Sequence, residues 1–169
     1  ALTEQLSVLA AAAVDLIFLE TFGYLDELLE AVEVAVAAVD VPVIAQATFS
    51  HDAHTLSGHT PREVAEALTG MPVAAIGTNC TIGPQRVLAV VRELREHTDL
   101  PLTAQPNAGL PRRTGRARFE YDIDSEYFVR YVRQLLDAGT SLVGGCCGTT
   151  PTQLAAVVEM AAEHRARTA

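Results

Sequence analysis

Three cysteines hold most of the chemistry this chain can do: Cys80, Cys146 and Cys147. Two are adjacent, in the run L-V-G-G-C-C-G-T-T-P from Leu142 to Pro151. The third lies in G-T-N-C-T-I-G-P, from Gly77 to Pro84. Thiolates are soft ligands, and zinc prefers sulfur and nitrogen in a tetrahedron. Three protein sulfurs would leave one position open, the arrangement of a catalytic zinc rather than a structural one. Two other readings stand beside it. The adjacent pair could belong to a non-catalytic zinc or redox module cycling between dithiol and disulfide. The glycines and threonines around it also resemble a phosphate-binding turn ahead of a helix, as in a phosphosugar barrel enzyme.

Other candidates are Glu20, in L-E-T-F, and Asn107, in Q-P-N-A-G-L-P. Asn79, beside Cys80, reads as a residue that shapes its own loop through side-chain hydrogen bonds. His51, His54 and His59 with Asp52 read as a solvated polar loop rather than a second metal site. Arg112, Arg113, Arg116 and Arg118 read as a solvated basic loop.

What must position these residues is an alternation of apolar runs and helical patterns. A helix over residues 1–13, with Leu2, Leu6 and Leu9 on one face, opens the chain. Strands are expected at 14–19, 43–48, 73–76, 100–104 and 141–144, and helices at 24–39, 61–69, 84–97, 125–138 and 151–165. Thr60-Pro61-Arg62-Glu63 has the form of a capping box, Asp124 or Ser125 caps a later helix, and Thr149 or Thr150 with Pro151 starts the last. The segment 112–122 is expected to be irregular. Five strand–helix units in succession mean a parallel sheet with right-handed crossovers. Glu20, Asn79, Cys80, Asn107, Cys146 and Cys147 are all expected just past strand ends, and in a closed barrel such exits converge on one mouth. A (β/α)8 TIM barrel needs eight units. The expected class is therefore α/β, the carboxyl-terminal portion of such a barrel, with a flavodoxin-like five-stranded sheet as the structural alternative. The Ala-rich helical opening, with no initiator methionine, suggests a piece of something longer.

The totals narrow the classes. At 169 residues, with 49% hydrophobic and 20% charged residues, the chain has enough apolar content for one packed domain. A formal net charge of −9 argues against nucleic acid or an anionic membrane as partner. No apolar run is long enough to span a bilayer and no signal peptide is visible. Three cysteines are not a secreted disulfide framework, so a reduced, cytoplasmic setting is expected.

Taken in order, L-E-T-F, G-T-N-C-T-I-G-P, Q-P-N-A-G-L-P and G-G-C-C-G-T-T-P resemble the homocysteine S-methyltransferase family over essentially the whole chain. That family includes the homocysteine-binding module of cobalamin-dependent methionine synthase, betaine-dependent enzymes, and modules fused to a methylenetetrahydrofolate reductase. The resemblance implies a barrel holding Zn2+ through Cys80, Cys146 and Cys147, with the homocysteine thiolate as fourth ligand. It implies that Glu20 holds the substrate's amino group and that Asn107 can approach the metal when substrate is absent. A sulfur bound to a zinc already carrying three thiolates should stay electron-rich and nucleophilic. The methyl donor is left open among methylcobalamin, methyltetrahydrofolate through another module, betaine and S-methylmethionine. The family's opening strand, with its aspartate- and glycine-rich motif, has no counterpart in this sequence. Residues 1–169 are thus expected to form a partial barrel lacking the N-terminal strands. Its uncovered edges are expected to self-associate.

Overall fold

A computed structural model of the chain describes residues 1–116 and 118–168. Helix α1 (Leu2–Ala11) precedes strand β1 (Ile17–Phe22). Then come α2 (Leu25–Ala38), β2 (Val43–Ala47), α3 (Pro61–Thr69), β3 (Ala75–Asn79), α4 (Pro84–Glu96) and β4 (Leu102–Gln105). A short excursion carries β5 (Arg112–Arg113) and β6 (Phe119–Glu120). The chain continues with α5 (Ser125–Asp137), β7 (Thr140–Val143) and α6 (Pro151–Thr168).

The helix starts are set by local chemistry. Thr60 and Glu63 exchange both hydrogen bonds of a capping box at α3. The Asp124 carboxylate accepts from the Tyr127 N–H at α5. Thr150 and Gln153 pair in the same reciprocal way at α6, where the Thr150 N–H donates to Gln153 Oε1 at 2.8 Å and the Gln153 N–H to Thr150 Oγ1 at 3.3 Å. Pro61, Pro84 and Pro151 each occupy the first helical position, where a missing N–H costs nothing.

The five long strands form one all-parallel sheet in the order β1-β2-β3-β4-β7. Each new strand joins beside its predecessor, always on the same side. That is barrel winding, and it excludes the flavodoxin-like alternative, whose order reverses at a switch point. The fold is mixed α/β, five consecutive strand–helix units of a partial (β/α)8 barrel. Alternate strand residues divide between two faces. Val43, Ala45, Ala47, Ile76, Leu102 and Ala104 join the apolar core with Val32, Val64, Leu68, Val91, Phe128 and Leu135 of the helices. Burying each larger aliphatic or aromatic side chain contributes about 1.5–3 kcal/mol. The opposite face is more polar: Gln46 Nε2 donates to Thr103 Oγ1 at 2.8 Å. The register places Gly77 between those two residues, and a Cβ there would lie 1.9 Å from the Thr103 carbonyl oxygen. Only glycine fits.

Three boundaries differ from the sequence expectation. Strand β1 runs 17–22 rather than 14–19, so Glu20 and Thr21 lie inside the strand instead of past it. Pairing with β2, Ile17 opposite Val43 and Phe22 opposite Ala47, sets the limits rather than the apolar run, and a bulge between Leu19 and Phe22 absorbs the polar pair. Strand β3 likewise extends through Asn79. The stretch expected to be irregular contains the β5–β6 hairpin, paired Arg112 to Glu120 and Arg113 to Phe119. No helix is long and apolar enough to cross a membrane among the described residues.

Candidate metal centre

Cys80 follows β3, where its N–H continues the ladder by donating to the Gln105 carbonyl at 3.0 Å. The chain then turns sharply. Cys80 and Thr81 both adopt left-handed backbone, with φ of 61° and 59°. Such conformations cost roughly 1–3 kcal/mol each for residues with a Cβ. A hydrogen bond between the Thr48 and Thr81 hydroxyls, and one from the Ile82 N–H to the Cys80 carbonyl, hold the turn.

The double cysteine is fixed by the loop after β4. After the Gly144 N–H donates to the Ala104 carbonyl, the Cys146 N–H donates to the Pro106 carbonyl at 2.9 Å. The Ala108 N–H in turn donates to the Cys147 carbonyl at 2.9 Å. The Cys147 N–H donates to Asn107 Oδ1 at 3.0 Å. Thr149 and Thr150 N–H groups are also engaged, with the Cys146 carbonyl and Gln153 Oε1. Four backbone donors that a phosphate cradle would need are thus used within the protein, which counts against the phosphate reading. Gly148 has φ +79°, and a Cβ on it would lie 2.1 Å from the Tyr121 ring. The tight loop therefore needs glycine on both counts.

These two turns bring the three sulfurs together. All three Sγ atoms lie within 4.8 Å of one another, and Cys80 and Cys147 are 3.6 Å apart. Zinc at about 2.3 Å from each sulfur of a tetrahedron implies S···S separations of roughly 3.8 Å. The donor set and its spacing fit that ion. The thiols are free, not disulfide-bonded. Burial pushes the Cys146 thiol up to about 12, helped by Cys80 and Cys147 beside it. Cys147 is raised first by its contact with Cys80, then by burial. Without a cation these two thiols stay protonated at neutral pH, because burial, the hydrogen bond with Cys80 and the neighbouring sulfurs all disfavour the charged form. A dication at their centre inverts that balance.

The other sequence candidates divide. Glu20 stands exposed on β1, its Oε2 3.5 Å from Asn79 Nδ2. Asn107 is buried, with its side-chain oxygen on the Cys147 N–H. Asn79 does more than shape its own loop: its Oδ1 accepts from the Thr21 N–H at 2.8 Å, across β2. The histidines lie apart from the thiols. His54 Nδ1 is 2.8 Å from the Asp52 carbonyl oxygen, and His59 Nδ1 2.9 Å from Ser57 Oγ. Among the described residues the three cysteines are the group of His, Cys, Asp or Glu placed to hold a metal ion. The arginine run is exposed on and around the hairpin, Arg118 pairing with Glu120 at 3.7 Å. Tyr121 is the residue the sequence did not reveal. It sits on Gly148 beside the thiols, and its phenol is raised by burial and then by Cys147 and Cys80. It lies in a stretch without periodicity, so nothing local marks it.

Comparison with known proteins is consistent with this geometry. A family model described as homocysteine S-methyltransferase matches residues 1–161. The chain is 33% identical over 160 residues to homocysteine S-methyltransferase 2 of Arabidopsis thaliana, covering 90% of this chain and 47% of that protein. It is 34% identical over 115 residues to methionine synthase of Mycobacterium tuberculosis, covering 68% of this chain and 10% of that protein. Crystal structures of the homocysteine methyltransferase MmuM from Escherichia coli superpose with TM-scores of 0.71 in the apo form and 0.70 in the metallated form, at 28% and 29% identity. These matches cover 94% and 92% of this chain and 57% and 51% of those chains. The chain thus spans about half the length of the homocysteine methyltransferases it matches and a tenth of the methionine synthase. A match over nearly the whole sequence, on a fold whose strand exits gather three thiols, leads to one conclusion: the chain belongs to the homocysteine S-methyltransferase family.

Proposed function

We propose that residues 1–169 are the carboxyl-terminal five units of a barrel that transfers a methyl group to the thiol of homocysteine, forming methionine, with zinc held by Cys80, Cys146 and Cys147. Three sulfurs from two loops 66 residues apart lie within 4.8 Å of one another, and that observation carries the reading. Zinc bound there would keep the homocysteine sulfur as a thiolate at neutral pH, where a free thiol near 8.5 is mostly protonated.

The chain's own residues do the rest. The paired left-handed turn aims Cys80, and the Asn107 side chain fixes the backbone of Cys147. Glu20, exposed near the end of β1 with its Oε2 3.5 Å from Asn79 Nδ2, is the carboxylate for the substrate's ammonium. Tyr121 packs against Gly148 and brings its phenol beside Cys147. The methyl donor stays open among methylcobalamin, methyltetrahydrofolate through another module, betaine and S-methylmethionine; delivery by another module is the arrangement proposed for the first two. The mycobacterial relative, of which this region is a tenth, supports that arrangement. Cysteines serving as metal ligands would need a reducing compartment such as the cytoplasm. A net charge of −9 disfavours nucleic acid and anionic membrane as partners.

Zinc content tests the reading. After reconstitution under reducing conditions, the purified full-length protein should carry one zinc per barrel, and Cys146→Ser should lose it. Substoichiometric zinc in the wild type, or full retention by Cys146→Ser, would overturn the proposal.

A further inference from the structure

The Asn79 side chain reaches further than a loop-forming residue needs to. It ends β3, is fully buried, and directly precedes Cys80. Its Oδ1 accepts from the Thr21 N–H at 2.8 Å, and its Nδ2 donates to Thr21 Oγ1 at 2.7 Å. The second hydrogen on Nδ2 has two acceptors in range: Glu20 Oε2 at 3.5 Å and Cys146 Sγ at 4.0 Å. Strands β1 and β3 are not neighbours, since β2 lies between them. One amide therefore spans the mouth and touches three strand exits: β1 through Glu20 and Thr21, its own β3, and β7 through Cys146.

The partner it grips is strained. Thr21, a β-branched residue, has φ of 66° in the β1 bulge. Left-handed threonine persists only where surrounding contacts impose it, and here both hydrogen bonds of the Asn79 amide do so. The bulge sets where Glu20 stands. The same amide thereby ties the position of Glu20 to that of Cys146.

Resting on the site proposed above, we infer that Asn79 is a positioning residue that sets the distance between the ammonium-holding carboxylate of Glu20 and the thiolate-holding centre at Cys146. That distance selects amino-thiols by chain length. Homocysteine places two methylenes between its Cα and sulfur, and cysteine one. With Asn79 in place the longer substrate satisfies both ends together. Without it Glu20 drifts, and the amino group no longer adds to binding.

The test uses Co2+ in place of zinc in the full-length protein, reading the thiolate-to-cobalt absorption as thiols are titrated. The thiols are homocysteine, cysteine and 4-mercaptobutyrate, which is homocysteine without its amino group. Asn79→Ala should keep stoichiometric Co2+, bind homocysteine about ten- to a hundredfold more weakly, as for loss of a hydrogen bond to a charged group, and bind 4-mercaptobutyrate unchanged. Its preference for homocysteine over cysteine should shrink accordingly. Thr21→Gly suits the left-handed backbone, so its fold is safe while the Oγ1 anchor is lost. It should show the same selective loss, smaller in size. Equal weakening of homocysteine and 4-mercaptobutyrate, no weakening of either, or loss of Co2+ from Asn79→Ala would each overturn the inference. Failure of the wild type to bind Co2+, or to respond to homocysteine, would instead sink the functional reading beneath it.

Discussion

At Cys146 two physical demands conflict, and the conflict predicts a pH dependence. Burial and two neighbouring thiols push its ionisation up to about 12, above the ordinary thiol range. A thiol whose folded value is raised stabilises the metal-free fold below its unfolded value. That contribution is lost as pH rises through the folded value. The metal-free protein should therefore lose stability between about pH 9 and 12, as read by thermal melts. Metal works in the other direction. A thiolate is the ligand, so zinc must displace protons from Cys146 and Cys147, and its apparent affinity should climb with pH. Calorimetry in buffers of different ionisation enthalpy at neutral pH should show net proton release on zinc binding. No release would mean the thiols are not the ligands.

Elements matter through what their ends and crossings permit. Gly77 lies in β3 where a side chain would strike the Thr103 backbone, and the Gln46–Thr103 hydrogen bond crosses the same position. Gly77→Ala should cost at least about 1–3 kcal/mol, the usual penalty of overpacking, in urea unfolding. Thr60 tests the opposite extreme, a local device far from the thiols. Thr60→Ala removes one half of the α3 capping box and should cost about 1 kcal/mol, leaving zinc stoichiometry unchanged. The helix caps, the capping box and the Gly-Pro and Thr-Pro helix starts were all readable from residue type, because each acts within four residues. The limits of β1 and β3 were not. Glu20, Thr21 and Asn79 look like loop residues by type, but Asn79 pairs with Gln105 of β4, and the pairing of Phe22 with Ala47 beyond the bulge encloses Glu20 and Thr21 within β1.

For the molecule as a whole, the five-stranded sheet ends at β1 and β7, each with one unpaired edge among the described residues. Beside β1, a cleft of about 300 Å3 is lined by apolar residues such as Leu2, Leu9, Phe18 and Phe22, with Gln5 and Glu20 among them. Unpaired parallel edges with apolar flanks associate unless covered. Light scattering on residues 1–169 alone should show concentration-dependent self-association. A monomer throughout would contradict that. By itself the sequence determined the α/β class, the five strand–helix units, the helix starts and the identity of the three sulfurs. Those follow from periodicity, capping and residue chemistry, which are local. Only the tertiary structure decided the strand order, which excludes a switch-point sheet, and the convergence of Cys80 on Cys146 and Cys147. The same holds for the seating of Tyr121 against Gly148 and the reach of Asn79 across the mouth to Thr21. Each joins residues between 27 and 67 positions apart. Contacts at that separation depend on how strands stack in register, and no short window of sequence carries that information.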